Sequence, residues 1–177
     1  MLSVDENTGI GARSRTRPTT PPAPGRPARQ AHEYVRHGTA ILLAVLDVHG
    51  GGIFTATDLD RNTAANFIDF LDELDAKVPA GLEVHLVLDN GSSHIANATR
   101  WWFLDHPRFH PHDTPSHASW LNQVELFFSI LARRLLNRGE FRSVQDLVGK
   151  VMAFINDYNR TAKPFRWTYH GRPLKVS

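Results

Sequence analysis

Two acidic residues stand where this chain could do chemistry. The apolar run Val84, His85, Leu86, Val87, Leu88 ends abruptly in Asp89 and Asn90. A short β-rich run that closes on a carboxylate reads as a buried strand delivering its charge to the sheet edge, where open α/β folds place their ligands. The second residue is Glu125. From Trp120 onward, Leu121, Val124, Phe128, Leu131 and Leu135 recur at helical spacing. Glu125 falls at the margin of that stripe, beside Leu121 and Phe128, while Asn122, Ser129 and Arg133 fall on the polar face. A carboxylate half turned toward a core is costly unless a cation meets it, and a metal ion shared with Asp89 would satisfy both. In the competing reading Asp89 caps the next helix and Glu125 is an ordinary surface residue.

The strings around these two residues carry a resemblance. Leu88-Asp89-Asn90 with His94 four residues after Asn90, then Thr114-Pro115, Ser119-Trp120-Leu121-Asn122 and Glu125, resemble the catalytic core of DDE-superfamily transposases. The group in question is the bacterial insertion-sequence relatives of the mariner elements. Similarity continues through Arg138-Gly139-Glu140-Phe141, Tyr158-Asn159 and Lys163-Pro164-Phe165-Arg166-Trp167-Thr168. It implies an α/β, ribonuclease-H-like fold: a mixed five-stranded sheet flanked by helices. It also implies two catalytic, metal-binding aspartates followed by a third acid about thirty-five positions after the second. Thirty-five residues separate Asp89 from Glu125, and Leu2-Ser3-Val4-Asp5-Glu6 matches the first-strand motif, with Asp5 as the first carboxylate.

From the same resemblance, Asp5 would bridge two Mg²⁺ or Mn²⁺ ions, with Asp89 on one and Glu125 on the other. Hard oxygen ligands suit those ions better than zinc. Two such ions can activate an attacking oxygen and stabilise a leaving one. Asn90, His94 and Asn122 become supporting residues beside the carboxylates, although His94 could equally cap or pack. The implied reaction is hydrolytic cleavage at the element ends followed by attack of the freed 3′-hydroxyl on target DNA. The implied partner is double-stranded DNA, as terminal inverted repeats and as target, and a homodimer is allowed.

Composition bounds the rest. The chain has 177 residues, 41% apolar and 21% charged, with no cysteine and a formal net charge of only +2. That is ordinary globular usage, long enough for one domain and without thiolate or disulfide chemistry. No apolar run approaches a membrane span and no signal-peptide core opens the chain, so a soluble, intracellular protein is expected, which the resemblance narrows to a cytoplasmic, nucleoid-associated bacterial one. The basic residues are uneven: Arg13, Arg15, Arg17, Arg26, Arg29 and Arg36 face one acid, Glu33, between Gly11 and His37. Such asymmetry suggests a polyanionic partner.

In chain order, Met1 to Val4 is too short for a comfortable strand, which predicts a truncated first strand. With no helix-turn-helix region present, the chain reads as the catalytic half of a longer protein: one domain over 1–177 with a basic insertion at about 11–38. The prolines between Gly11 and Gly38 predict no regular structure there, either a solvated linker or a DNA-contacting arm. Ala40 to Leu46 reads as a buried central strand. The Asp47 to Gly52 turn leads into Ile53 to Thr57, an antiparallel hairpin whose flanking Asp47 and Asp58 are read as turn residues. Asn62 or Thr63 caps a helix with Ala64, Phe67, Ile68, Leu71 and Leu74 on its apolar stripe and its acids on a solvated face. A further helix is predicted to begin near His94, with Trp101 and Trp102 in the core.

Arg133, Arg134 and Arg138 suit the negative end of the Glu125 helix and could reach phosphates. Ser143 with Asp146 opens a last helix, striped by Val144, Leu147, Val148, Val151, Phe154, Ile155 and Tyr158. The rival signal is His106, His110, His112 and His117 with Asp105 and Asp113, which suggests zinc. Interleaved prolines leave those side chains on no common face, so solvent-exposed loop histidines around a short strand at Phe109 are expected. Three functions follow in order: a transposase catalytic domain, an inactive DNA-binding or regulatory remnant, and a zinc-dependent hydrolase.

Overall fold

The computed structural model describes residues 1–17, 22–27, 33–115 and 121–166. Five strands form one sheet: β1 (Leu2–Arg15), β2 (Tyr34–Asp47), β3 (Ile53–Leu59), β4 (Val84–Leu88) and β5 (Phe109–Asp113), in the order β3-β2-β1-β4-β5. β2 runs antiparallel to both β1 and β3, whereas β4 pairs parallel with both β1 and β5. This is the mixed five-stranded sheet expected from the sequence.

The apolar stretch of β2 is continuous because both its faces are covered. Leu42, Ala44 and Leu46 pack with α3 (Val124–Leu131) and α4 (Val144–Asn159), while Leu43 and Val45 pack with α1 (Ala64–Lys77) and Trp102 of α2 (Asn97–Asp105). Thr63 caps α1, accepting from the Asn66 amide, and Ser143 caps α4, accepting from the Asp146 amide, both as predicted. Asn159 at the end of α4 exchanges two bonds with the Ile53 backbone, fixing that helix to the β2–β3 hairpin. Leu147, Val151 and Ile155 are the buried positions of its stripe.

Several expectations need correction. The first strand is not short: β1 is 14 residues long and continues through Gly11 to Arg15, while β2 begins at Tyr34. Both ends of the stretch read as irregular are therefore a hairpin ladder, with Arg13 opposite Arg36 and Arg15 opposite Tyr34. Strand pairing there proceeds without the apolar alternation that periodicity detects, because Tyr34 to Thr39 are exposed. Asp47 is a turn residue, accepting from the His49 and Gly50 amides, but Asp58 lies within β3 opposite Leu42.

α2 begins at Asn97 rather than at His94, and of its tryptophans Trp102 is buried while Trp101 is 66% exposed. Two acids of α1 leave the solvated face: Asp72 accepts from the Trp102 indole and Asp75 pairs with Arg108. His110 and His112 lie on β5, not in a loop, and stack on either side of His85 of β4. His117, like Arg29, Ser119 and Trp120, lies outside the described residues. No described helix is long and apolar enough to cross a membrane.

Candidate active site

Asp5 sits on β1 just beyond the short stretch where that strand pairs with β4 through Leu2 and Ser3. Asp89 is the first residue after β4, and Glu125 occupies the first turn of α3, half-buried. Parallel pairing of β1 with β4 is what brings the two aspartates to one end of the sheet. The third acid is brought there by the packing of α3 on β1.

That packing is fixed by one amide. Asn122 is fully buried; its Nδ2 donates to the Val4 carbonyl at 2.8 Å and to Asp5 Oδ2 at 3.1 Å. Its Oδ1 accepts from the Ser3 hydroxyl, and Ser3 Oγ in turn accepts from the Val124 amide at 3.0 Å. The Asn122 carbonyl accepts from the Glu125 amide. Asn122 therefore lies before α3 and toward β1, not on a polar face. Asn122→Ala leaves a buried carboxyl, hydroxyl and carbonyl short of partners, for an expected loss of about 2 kcal/mol in urea denaturation.

Asp5 is only 4% exposed. Burial, then the charges of Asp89, Glu6 and Glu125, push its carboxyl up to about 7, against the opposing hydrogen bond from the Glu6 amide. Asp89 and Glu125 are thus each within electrostatic reach of Asp5. Among the described residues no three His, Asp or Glu groups converge tightly enough to hold an ion as they stand. The donor set nevertheless fits a divalent cation. Asp5, Glu6, Asp89 and Glu125 offer hard oxygens, one of them averse to ionising without a cation, and among the described residues His94 is the cation placed against Glu6 and Asp89.

His94 is 4% exposed and lies between two of these acids. Its Nδ1 is 2.8 Å from Asp89 Oδ1 and its Nε2 is 3.3 Å from Glu6 Oε2, the latter an ionic contact off the line of a hydrogen bond. Burial, the largest influence, pulls its basicity down. The contacts with Asp89 and Glu6 outweigh it and hold the ring at about 10, so His94 is an imidazolium at neutral pH. The His94 bond, ahead of the Gly91 amide, keeps Asp89 below the usual carboxylate range despite partial burial. Asp89 closes a local turn with Gly91 but does not cap α2. Asn90 donates to the Thr114 carbonyl at 2.9 Å, tying the end of β4 to the segment after β5.

Three contributors escaped the sequence reading. Ser3 carries Asn122 and the start of α3, Glu6 completes the carboxylate pair around His94, and Asn62 donates to Glu6 Oε1. Alternation offered a signal for Ser3, since Ser3 and Asp5 share a strand face. The predicted arginines scatter. Arg13, Arg15 and Arg36 lie on the hairpin, Arg26 in an isolated bridge with Ala23, and Arg17 beyond β1. Arg133 and Arg134 are exposed on a π-helical turn, Ala132–Leu136, that continues α3, and Arg138 follows it.

The sequence profile of the DDE superfamily endonucleases matches residues 1–148. Comparison with curated proteins finds no match. Among solved structures, the Mos1 transposase paired-end complex with left transposon end is similar at 19% identity and a TM-score of 0.67, over 92% of this chain and 48% of that one. The Mos1 mariner paired end complex with Mn is similar at 20% identity and 0.66, over 88% and 48%. The catalytic domain of Mos1 mariner transposase gives 15% identity and 0.61, over 92% and 71%. The chain spans about half the length of the complexes it matches, and the likeness is one of fold.

Proposed function

We propose, from the fact that this chain belongs to the DDE superfamily of endonucleases, that it is a DNA transposase catalytic domain acting through Asp5, Asp89 and Glu125. The observation that carries the reading is the buried Asp5 carboxyl, raised to about 7 by burial and by Asp89, Glu6 and Glu125. A structural aspartate gains nothing from such surroundings, whereas a ligand awaiting a cation does. We read residues 1–177 as one catalytic domain with a basic Pro/Arg-rich insertion at about 11–38, the outer parts of which, 11–15 and 34–38, belong to β1 and β2.

Asp5, Asp89 and Glu125 would hold two Mg²⁺ or Mn²⁺ ions, which supply activation of the attacking oxygen and stabilisation of the leaving one in phosphodiester cleavage. The chain's own part is positioning. Asn122 holds the Asp5 carboxylate and the Glu125 helix in one frame, and His94 fixes the Asp89 rotamer through Oδ1. Arg13, Arg15, Arg17, Arg26, Arg29 and Arg36, with Arg133, Arg134 and Arg138, supply phosphate contacts. The substrate is double-stranded DNA at element ends and then target DNA, cleaved by water and joined by a freed 3′-hydroxyl, with a homodimer bringing two ends together. A 14-residue β1 that seats Asp5 beside Asn122 removes the short first strand that favoured an inactive remnant.

Nicking of supercoiled plasmid in Mn²⁺ tests this. Asp89→Asn and Glu125→Gln are expected to lower the rate by about 100-fold or more, consistent with loss of a metal ligand. Nicking that persists in both variants refutes the assignment.

A further inference from the structure

We propose that His85 and His112 chelate a transition-metal dication of the zinc, nickel or copper class on the exposed face of the β4–β5 edge. β5 ends the sheet and pairs with β4 alone. In that register His85 stands opposite His110, and His112 opposite Val87. Residues two apart on a strand share a face, so Pro111 between the two histidines does not separate them, and an edge strand tolerates its missing N–H. Val84, Leu86 and Leu88 take the buried face, packed with α1 and Trp102. The alternate positions put the three imidazoles on the other face, where solvent reaches them. His85 precedes Asp89 by four residues, about 13 Å along β4, and the site shares no residue with the carboxylates.

The spacing of the pair is that of a chelate. His85 Nδ1 and His112 Nε2 lie 2.9 Å apart. Two nitrogens held by one ion at about 2.0 to 2.1 Å stand about 2.9 Å apart at a right angle and about 3.3 Å apart in a tetrahedron. A neutral imidazole carries its proton on either nitrogen, so the ring that now donates can move its proton to the far nitrogen and present a second lone pair. His110 lies beside them, its ring centre 4.9 Å from that of His85 and its Nε2 2.6 Å from Glu83 Oε2. A carboxylate on one ring nitrogen draws the proton there and makes the other nitrogen the better ligand. Among the described residues no third ligand is in place, so water completes the shell. His106 takes no part: its Nδ1 is 2.8 Å from the Trp102 carbonyl oxygen and its ring lies on the indole. Imidazole favours zinc, nickel and copper over Mg²⁺ and Mn²⁺, the ions that suit the carboxylates. A bound ion clips the edge strand to the strand that ends at Asp89.

The test is isothermal titration of Ni²⁺ into the full chain, free of any polyhistidine tag, in a buffer that does not bind metal. A saturable heat is expected, weakened at least tenfold by His85→Gln and by His112→Gln and unchanged in Asp89→Asn. Ni²⁺ should also raise the melting temperature of the wild type and of Asp89→Asn alike, but not that of His85→Gln. Both histidines are exposed, and melts without metal confirm that their variants fold. Absence of a saturable heat, or wild-type affinity in both histidine variants, overturns the proposal. Loss of the heat in Asp89→Asn also overturns it, by assigning the ion to the carboxylates.

Discussion

Asp5→Asn is expected to raise the melting temperature of the metal-free protein at pH 8 by several degrees, while abolishing its stabilisation by Mn²⁺. The folded carboxyl sits at about 7 against an ordinary 3.8, so the native state holds its proton more tightly than the unfolded chain. The folded state therefore suffers no penalty below about pH 4, a growing one as pH rises toward 7, and the full one above. At 1.36 kcal/mol per pKa unit the penalty is on the order of 4 kcal/mol at most. An amide at position 5 matches the Glu6 and Asn122 donors less well, which returns about 1 kcal/mol. The net gain is about 3 kcal/mol at most at pH 8 and becomes a loss of about 1 kcal/mol near pH 4, where the ionisation penalty is gone. With saturating Mn²⁺ the order inverts, because only the wild type gains the binding energy. Melts of both proteins at the two pH values, with and without Mn²⁺, check the sign.

His94→Ala carries the second large effect, in the opposite direction. The ring is the cation between Asp89 and Glu6, and removing one partner of a buried ion pair costs about 3 to 5 kcal/mol. The phenyl of Phe67, whose ring centre is 4.5 Å from that of His94, also loses its neighbour. Because the folded ring is raised to about 10 from 6.5, its contribution is fully present below about pH 6.5 and is lost as pH rises through 10. Urea midpoints from pH 8 to 10, above the Asp5 titration, should therefore fall steeply for the wild type and stay nearly flat for His94→Ala. Equal slopes would mean that the ring is neutral in the fold.

Elements that bury an apolar stripe were legible in the sequence. β4 with its terminal Asp89, α1 from Thr63, and α4 from Ser143 follow from periodicity and capping residues, because in each of them packing against the sheet dictates residue type. The hairpin of β1 and β2 was not legible beyond the core. Its outer half is held by backbone bonds between exposed strands, and no side-chain pattern records them. Helix counting from Trp120 set Asn122 on a polar face, whereas α3 begins at Val124 and Asn122 points to β1. Asp5, Asp89 and Glu125 could be named from their motifs. The roles of Glu6, which stands in the same motif as Asp5, and of Asn62 could not be read there, since they depend on contacts between residues far apart in the chain.

Isothermal titration of Mn²⁺ into the wild type and into Asp5→Asn, Asp89→Asn and Glu125→Gln tests the account most directly. Convergence of the three acids on one site predicts a saturable heat in the wild type that each single substitution removes or weakens at least tenfold, about 1.4 kcal/mol. Wild-type binding in all three variants would contradict it.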